Sequence, residues 1–109
     1  WDRKAATTAV LHVPPTTGTW HGNLHLNELF MPVLNEAGID LMLCGHEHRY
    51  SFHPAGERGA QFPIVINDNK SYARCDVSDS LIRVRIIGPK GKAAHTHEFP
   101  LNTPAVDPE

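Results

Sequence analysis

Ile39-Asp40-Leu41-Met42-Leu43-Cys44-Gly45-His46-Glu47-His48 is the stretch on which the fold turns. Six residues, apolar but for one, run without a break into a glycine and then into two histidines spaced by one residue. A run of that length reads as a buried strand, and the glycine after it lets the chain turn sharply. Working backwards, Leu24, Leu26, Leu29, Phe30, Val33, Leu34 and Ala37 recur at helical spacings and predict a helix with one apolar stripe. Asn23 is its expected N-cap and Gly38 the residue just past its end. Pro32 interrupts the pattern, either as a kink or as a new start that leaves Met31 outside. Further back, Thr8-Ala9-Val10-Leu11-His12-Val13 is a short β-branched run stopped by Pro14-Pro15. A polar, glycine-punctuated loop follows it up to Asn23. Strand, helix and strand make a βαβ unit, which favours parallel strands in one sheet.

Working forwards, the character changes. Residues 53–61 read as a loop and Phe62 to Ile66 as a strand, with Asn67-Asp68-Asn69 as a turn. Tyr72 to Val77 is the next strand. In Leu81 to Ile87, Ile82, Val84 and Ile86 alternate with Arg83 and Arg85, one dry face and one wet. Gly88-Pro89-Lys90-Gly91-Lys92 turns the chain, and His95 to Leu101 returns antiparallel. The reading is an α/β chain (α+β layered) in which a βαβ unit precedes an antiparallel β-meander.

Composition bounds what this chain does. It has 109 residues, 40% hydrophobic and 20% charged, with a net charge of −2. That is one domain at most, neither a disordered tail nor a basic nucleic-acid or membrane binder. No apolar stretch approaches the ~20 residues of a membrane span. Two cysteines, Cys44 and Cys75, make no disulfide scaffold. The chain opens on Trp1 without a basic or apolar leader, and we expect a piece of a longer protein. Eight histidines without a Lys/Arg excess point to metal or proton chemistry.

Position selects among them. In open α/β sheets ligands gather at the carboxyl ends of strands. His46 and His48 follow one strand end and His12 ends the other, so three imidazoles converge on one rim. Each can offer a neutral nitrogen to zinc, iron or manganese. An H-x-H pair alone does not define a metal site, and a lone His12 is as readily a satisfied core or loop histidine. Glu47 is expected to point away, and Asp40 begins its strand at the opposite end. His95 and His97 form a second H-x-H, read as partly exposed residues of an edge strand. His25 and His53 read as surface residues. Tyr50 is placed to pack under the site, where its hydroxyl needs a partner.

Val10-Leu11-His12-Val13-Pro14, a helix, and then Asp40 to Tyr50 with Gly45-His46-Glu47-His48 resemble the carboxy-terminal half of a calcineurin-like metallophosphoesterase, in its purple-acid-phosphatase-like branch. The resemblance covers residues 8–52 by motif. It implies that His12 and His46 ligate one metal and His48 a second, the two being Fe, Zn or Mn. It implies that His21 faces the substrate, as phosphate ligand or as proton donor to the leaving alkoxide, a role suited to imidazole. It also implies half of a four-layer sandwich, with residues 1–101 as the carboxy-terminal half of the catalytic domain and 102–109 a loose tail. A periplasmic or extracellular setting is slightly favoured by the resemblance alone.

The family's D-x-H, G-D-x-x-D and G-N-H-[DE] motifs do not occur in the 109 residues; Gly22-Asn23-Leu24-His25 lacks the triplet and follows His12. Three histidines cannot hold two metals that clamp a phosphate. The expectation is therefore a fragment of a dinuclear phosphoesterase acting on phosphate esters, inactive in isolation, whose pair of metals belongs to the parent protein completed by the missing amino-terminal half and need not be bound by the fragment. Two alternatives stand beside it. One is a non-catalytic β-rich interaction domain with a structural metal or none, the other a degenerate family member. A half-domain leaves an apolar face and a strand edge uncovered, so self-association is expected.

Overall fold

The computed structural model describes residues 6–12, 14, 23–57 and 59–101. The elements run β1 (Thr8–Leu11), α1 (Asn23–Ala37), β2 (Leu41–Cys44), β3 (Ser51–His53), β4 (Ile64–Ile66), β5 (Tyr72–Val77), β6 (Leu81–Ile87) and β7 (Ala93–Pro100). They form a four-stranded sheet in the order β1-β2-β4-β3 and a three-stranded sheet in the order β5-β6-β7. The expected βαβ unit is present: β1 pairs parallel with β2, from Thr8 opposite Leu41 to Leu11 opposite Cys44. The α/β reading with a closing antiparallel meander is the architecture observed, with the meander confined to the last three strands.

Alternation along β2 and β4 builds the layers. Met42, Cys44, Ile64 and Ile66 pack with Met31 and Ile39 and with the half-buried Leu34 and Ala37 of the helix. Leu41 and Val65 point the other way, onto Ile82, Val84, Ile86 and Phe99 of the second sheet. Strands buried on both faces lose the hydrophobic-polar alternation and become continuous apolar runs. That is why Leu41–Cys44 and Ile64–Ile66 contain no polar residue. Full burial of each such side chain contributes about 1.5–3 kcal/mol relative to exposure.

Several expectations need correction. The strand from Phe62 to Ile66 does not open the meander. Its core, β4, joins the first sheet parallel to β2, with Met42 opposite Ile64. β3, whose last residue His53 fell in the expected loop, is a short edge strand antiparallel to β4. The helix passes through Pro32 without a break and contains Met31, which is buried. Its core face is also not the expected stripe. Leu29 and Val33 are 63% and 62% exposed, and Phe30 is exposed as well. Met31, Leu34 and Ala37, three residues apart, take the sheet side. Gly38 ends the helix at φ 68° as expected, in the left-handed conformation that glycine adopts without a Cβ penalty. Cys75 is exposed and Cys44 buried, and both are free. The segment 102–109 lies outside the described residues, as does the side chain of His25. Among the described residues no helix is long and apolar enough to cross a membrane.

Candidate metal centre at the strand ends

Parallel pairing sets the carboxyl ends of β1, β2 and β4 side by side. The Gly45 N–H donates to the His12 carbonyl (3.0 Å), and the Asn67 N–H donates to the Cys44 carbonyl (2.9 Å). The three strand ends are thereby stitched into one rim. On it, Nδ1 of His46 lies 3.3 Å from Nε2 of His12, and the two rings meet edge-on at 83° with centroids 5.1 Å apart. Both side chains are exposed. Two nitrogens bound to one tetrahedral metal at about 2.0–2.1 Å are separated by about 3.3–3.4 Å. The observed separation matches the bite that one shared ion would require, and equally the length at which one ring donates to the other. The donor set fits two imidazole ligands of one metal.

The rest of the expected set is not assembled. His48 is exposed. Among the described residues no group of three or more His, Cys, Asp or Glu side chains is gathered for a metal. His21 lies outside the described residues. Asp40, at the other end of β2, is buried, and its carboxylate accepts the Thr7 N–H at 2.8 Å. It ties the start of β1 to β2 and takes no part in the rim.

The sharp turn expected after β2 places its left-handed residues at the histidines. Gly45 is not the residue in left-handed conformation; His46 (φ 74°) and His48 (φ 61°) are. A Cβ on Gly45 would meet only the His12 carbonyl oxygen, at 3.8 Å. Non-glycine residues held at positive φ cost of order 1–3 kcal/mol each and persist where the surroundings impose them. Here the strained positions are the two imidazole bearers.

Sequence reasoning missed how the turn is anchored. Tyr50 follows it, and its hydroxyl is hydrogen-bonded to Nε2 of His97 on β7. The Tyr50 ring stacks on His95 at 3.6 Å between centroids, and Phe52 stacks on His97 at 4.3 Å. The second H-x-H thus grips the chain just beyond the first. Burial pushes the Tyr50 hydroxyl up from its ordinary pKa, and burial followed by the neighbouring His95 charge pushes His97 down. In Sequence terms only the need for a hydroxyl partner was visible. Asn67 was missed as a rim residue because its place depends on the β2–β4 pairing. Its side chain donates to the Ser71 carbonyl, and Asp68 accepts the Lys70 N–H, which holds that carboxylate below its ordinary pKa. His53 lies in β3, with Nδ1 3.6 Å from Glu57.

No family model matches the sequence, and no curated protein matches it. Among solved structures, the chain is similar to a conserved uncharacterized protein of Streptococcus pneumoniae, a predicted phosphoesterase, at 21% identity and a TM-score of 0.48. The match covers 73% of this chain and 53% of that one, so the chain spans about half the length of that structure.

Proposed function

We propose that this chain carries one edge of a two-metal phosphoesterase centre, in which His12 and His46 hold one metal, His48 a second and His21 faces the substrate. The observation that carries the reading is the 3.3 Å approach of the His12 and His46 ring nitrogens across two parallel strand ends. Bound there, Fe, Zn or Mn would supply Lewis acidity and charge for a phosphate ester. The chain's own part is positional. The β1–β2 ladder fixes the distance between the two imidazoles, and Tyr50 with His97 holds the turn that bears His46 and His48. A His21 imidazole carrying a proton would bind the phosphate or give that proton to the leaving alkoxide oxygen. The remaining ligands, carboxylates above all, would come from a preceding half-domain that completes a four-layer sandwich.

Phosphoester hydrolysis by the parent protein tests this, with p-nitrophenyl phosphate and its diester as substrates and Mn, Zn or Fe supplied. The expected loss on His46→Ala is on the order of a hundredfold or more, as for loss of a group acting on transition-state charge. A variant with undiminished activity refutes the assignment. The 109-residue chain alone is expected at the blank rate, and metal-dependent turnover by it overturns the half-centre reading.

A further inference from the structure

The second sheet ends on β5 in an edge that is complementary to itself. Ser78 N–H donates to the Leu81 carbonyl at 2.9 Å. The β5–β6 register from Tyr72 opposite Ile87 to Val77 opposite Ile82 runs without a bulge. In an antiparallel ladder the bonded pairs alternate. Residues 72, 74, 76 and 78 therefore turn their backbone groups toward β6, and Ala73, Cys75 and Val77 turn theirs outward. Among the described residues no strand pairs with that outer side.

Side chains alternate in the same way. Ala73, Cys75 and Val77 stand on the face that meets the first sheet, opposite the buried Ile86, Val84 and Ile82. Yet Val77 is 59% exposed, while Ile82 beside it is fully buried. The core stops one strand short of the edge. On the other face Arg74 and Asp76 pair with each other at 3.4 Å and Asp76 also accepts from Arg85 at 2.6 Å, while 58% and 41% of the Arg74 and Asp76 side chains stay open to a partner across the edge.

We propose that a second copy of this chain pairs antiparallel with β5 about a twofold axis at Cys75, making one continuous six-stranded sheet. In that register Arg74 faces Asp76 of the other copy, and Asp76 faces its Arg74. Ala73 faces Val77, and Cys75 faces Cys75. Each outward N–H and C=O finds a partner. A slip of two residues in one direction sets Arg74 against Arg74, and in the other Asp76 against Asp76; like charges directly opposite are destabilising. Edges are commonly protected by charged side chains, among other devices. Here the signs alternate so that they attract an inverted copy. An isologous interface of this kind closes as a dimer and does not propagate. Exposed Val77 gains an apolar neighbour in the process.

Light scattering after size exclusion, from micromolar to several hundred micromolar chain, reads the outcome. The wild-type chain is expected at twice the monomer mass. Cys75→Pro removes an outward N–H and none of the β5–β6 ladder bonds, a substitution that edge strands accept. It is expected to give a monomer with unchanged circular dichroism. Arg74→Asp, which places Asp against Asp across the axis, is expected to do the same without touching the backbone. Register is read by copper-phenanthroline at alkaline pH, the oxidant taking two electrons from two thiols with loss of two protons. Facing Cα atoms of a bonded pair lie about 5.5 Å apart, within disulfide range, and Cys44 is buried. Trapped dimer that vanishes in Cys75→Ser is expected. A monomer at every concentration, a dimer that survives both substitutions, or a dimer that resists trapping overturns the proposal.

Discussion

Replacing Tyr50 by Phe removes one oxygen and leaves the ring stacked on His95, so it isolates the hydrogen bond that ties the histidine turn to the second sheet. A neutral hydrogen bond contributes about 0.5–1.5 kcal/mol net, and leaving its partner unsatisfied costs more where the partner is buried. His97 is half-buried, so water reaches it in part, and about 1 kcal/mol is the expected loss for Tyr50→Phe. For a domain near this size that corresponds to about 4–8 °C in melting temperature. Tyr50→Ala also loses the stacking on His95, and is expected to cost about 0.5–1.5 kcal/mol more. The assay is urea unfolding of the wild type, Tyr50→Phe, His97→Leu and the double variant. If the two side chains act as one unit, the double variant is less destabilised than the sum, with a coupling of about 1 kcal/mol. Strict additivity, or a Tyr50→Phe midpoint equal to wild type, refutes the anchoring role.

Further outcomes follow from the same geometry. His97 is neutral-favouring in the fold, with its pKa below the ordinary 6.5, so between the two values the unfolded chain binds more protons. Stability is then expected to fall as pH drops below about 6.5, and His97→Leu should flatten that slope in urea midpoints measured across the range. His48→Gly relieves a left-handed residue and is expected to leave the metal-free fold unharmed, or up to about 1 kcal/mol more stable by thermal unfolding. A loss of more than that magnitude would show that His48 has structural work. Cys44, its thiol pushed up to about 12 by burial and then by Glu47, is expected to stay unlabelled by a thiol reagent at pH 8 until the chain is unfolded, since the thiolate is the reactive form; mass spectrometry of labelled peptides reads it.

The sequence was most legible where one periodicity ruled. Leu81–Ile87 alternates buried isoleucine and valine with arginine, and β6 falls where that pattern puts it. The apolar run before Gly45 announced β2 and the rim beyond it. The helix was read correctly as a helix and incorrectly in its facing, because Leu29, Phe30 and Val33 outnumber the residues that meet the sheet. Only the position of β2 and β4 beneath it decides which side is dry. β3 is three residues long and half-buried, too short for alternation to declare itself. Its partner lies eleven residues on in the chain, Phe52 opposite Val65 being thirteen apart. At the rim, the spacing of His46 and His48 was visible but the left-handed backbone beneath them was not, since Gly45 draws that role by composition. The Tyr50–His97 bond joins positions 47 residues apart and is a product of tertiary packing alone.

The central claim is that His12 and His46 share a metal. X-ray absorption at the zinc edge of the 109-residue chain with one equivalent of Zn²⁺ tests it most directly. Imidazole nitrogens are expected at about 2.0–2.1 Å from the zinc, with the imidazole scattering diminished in His12→Ala and in His46→Ala and unchanged in His95→Ala. Zinc that binds without imidazole ligands, or whose spectrum is indifferent to both His12 and His46, contradicts it.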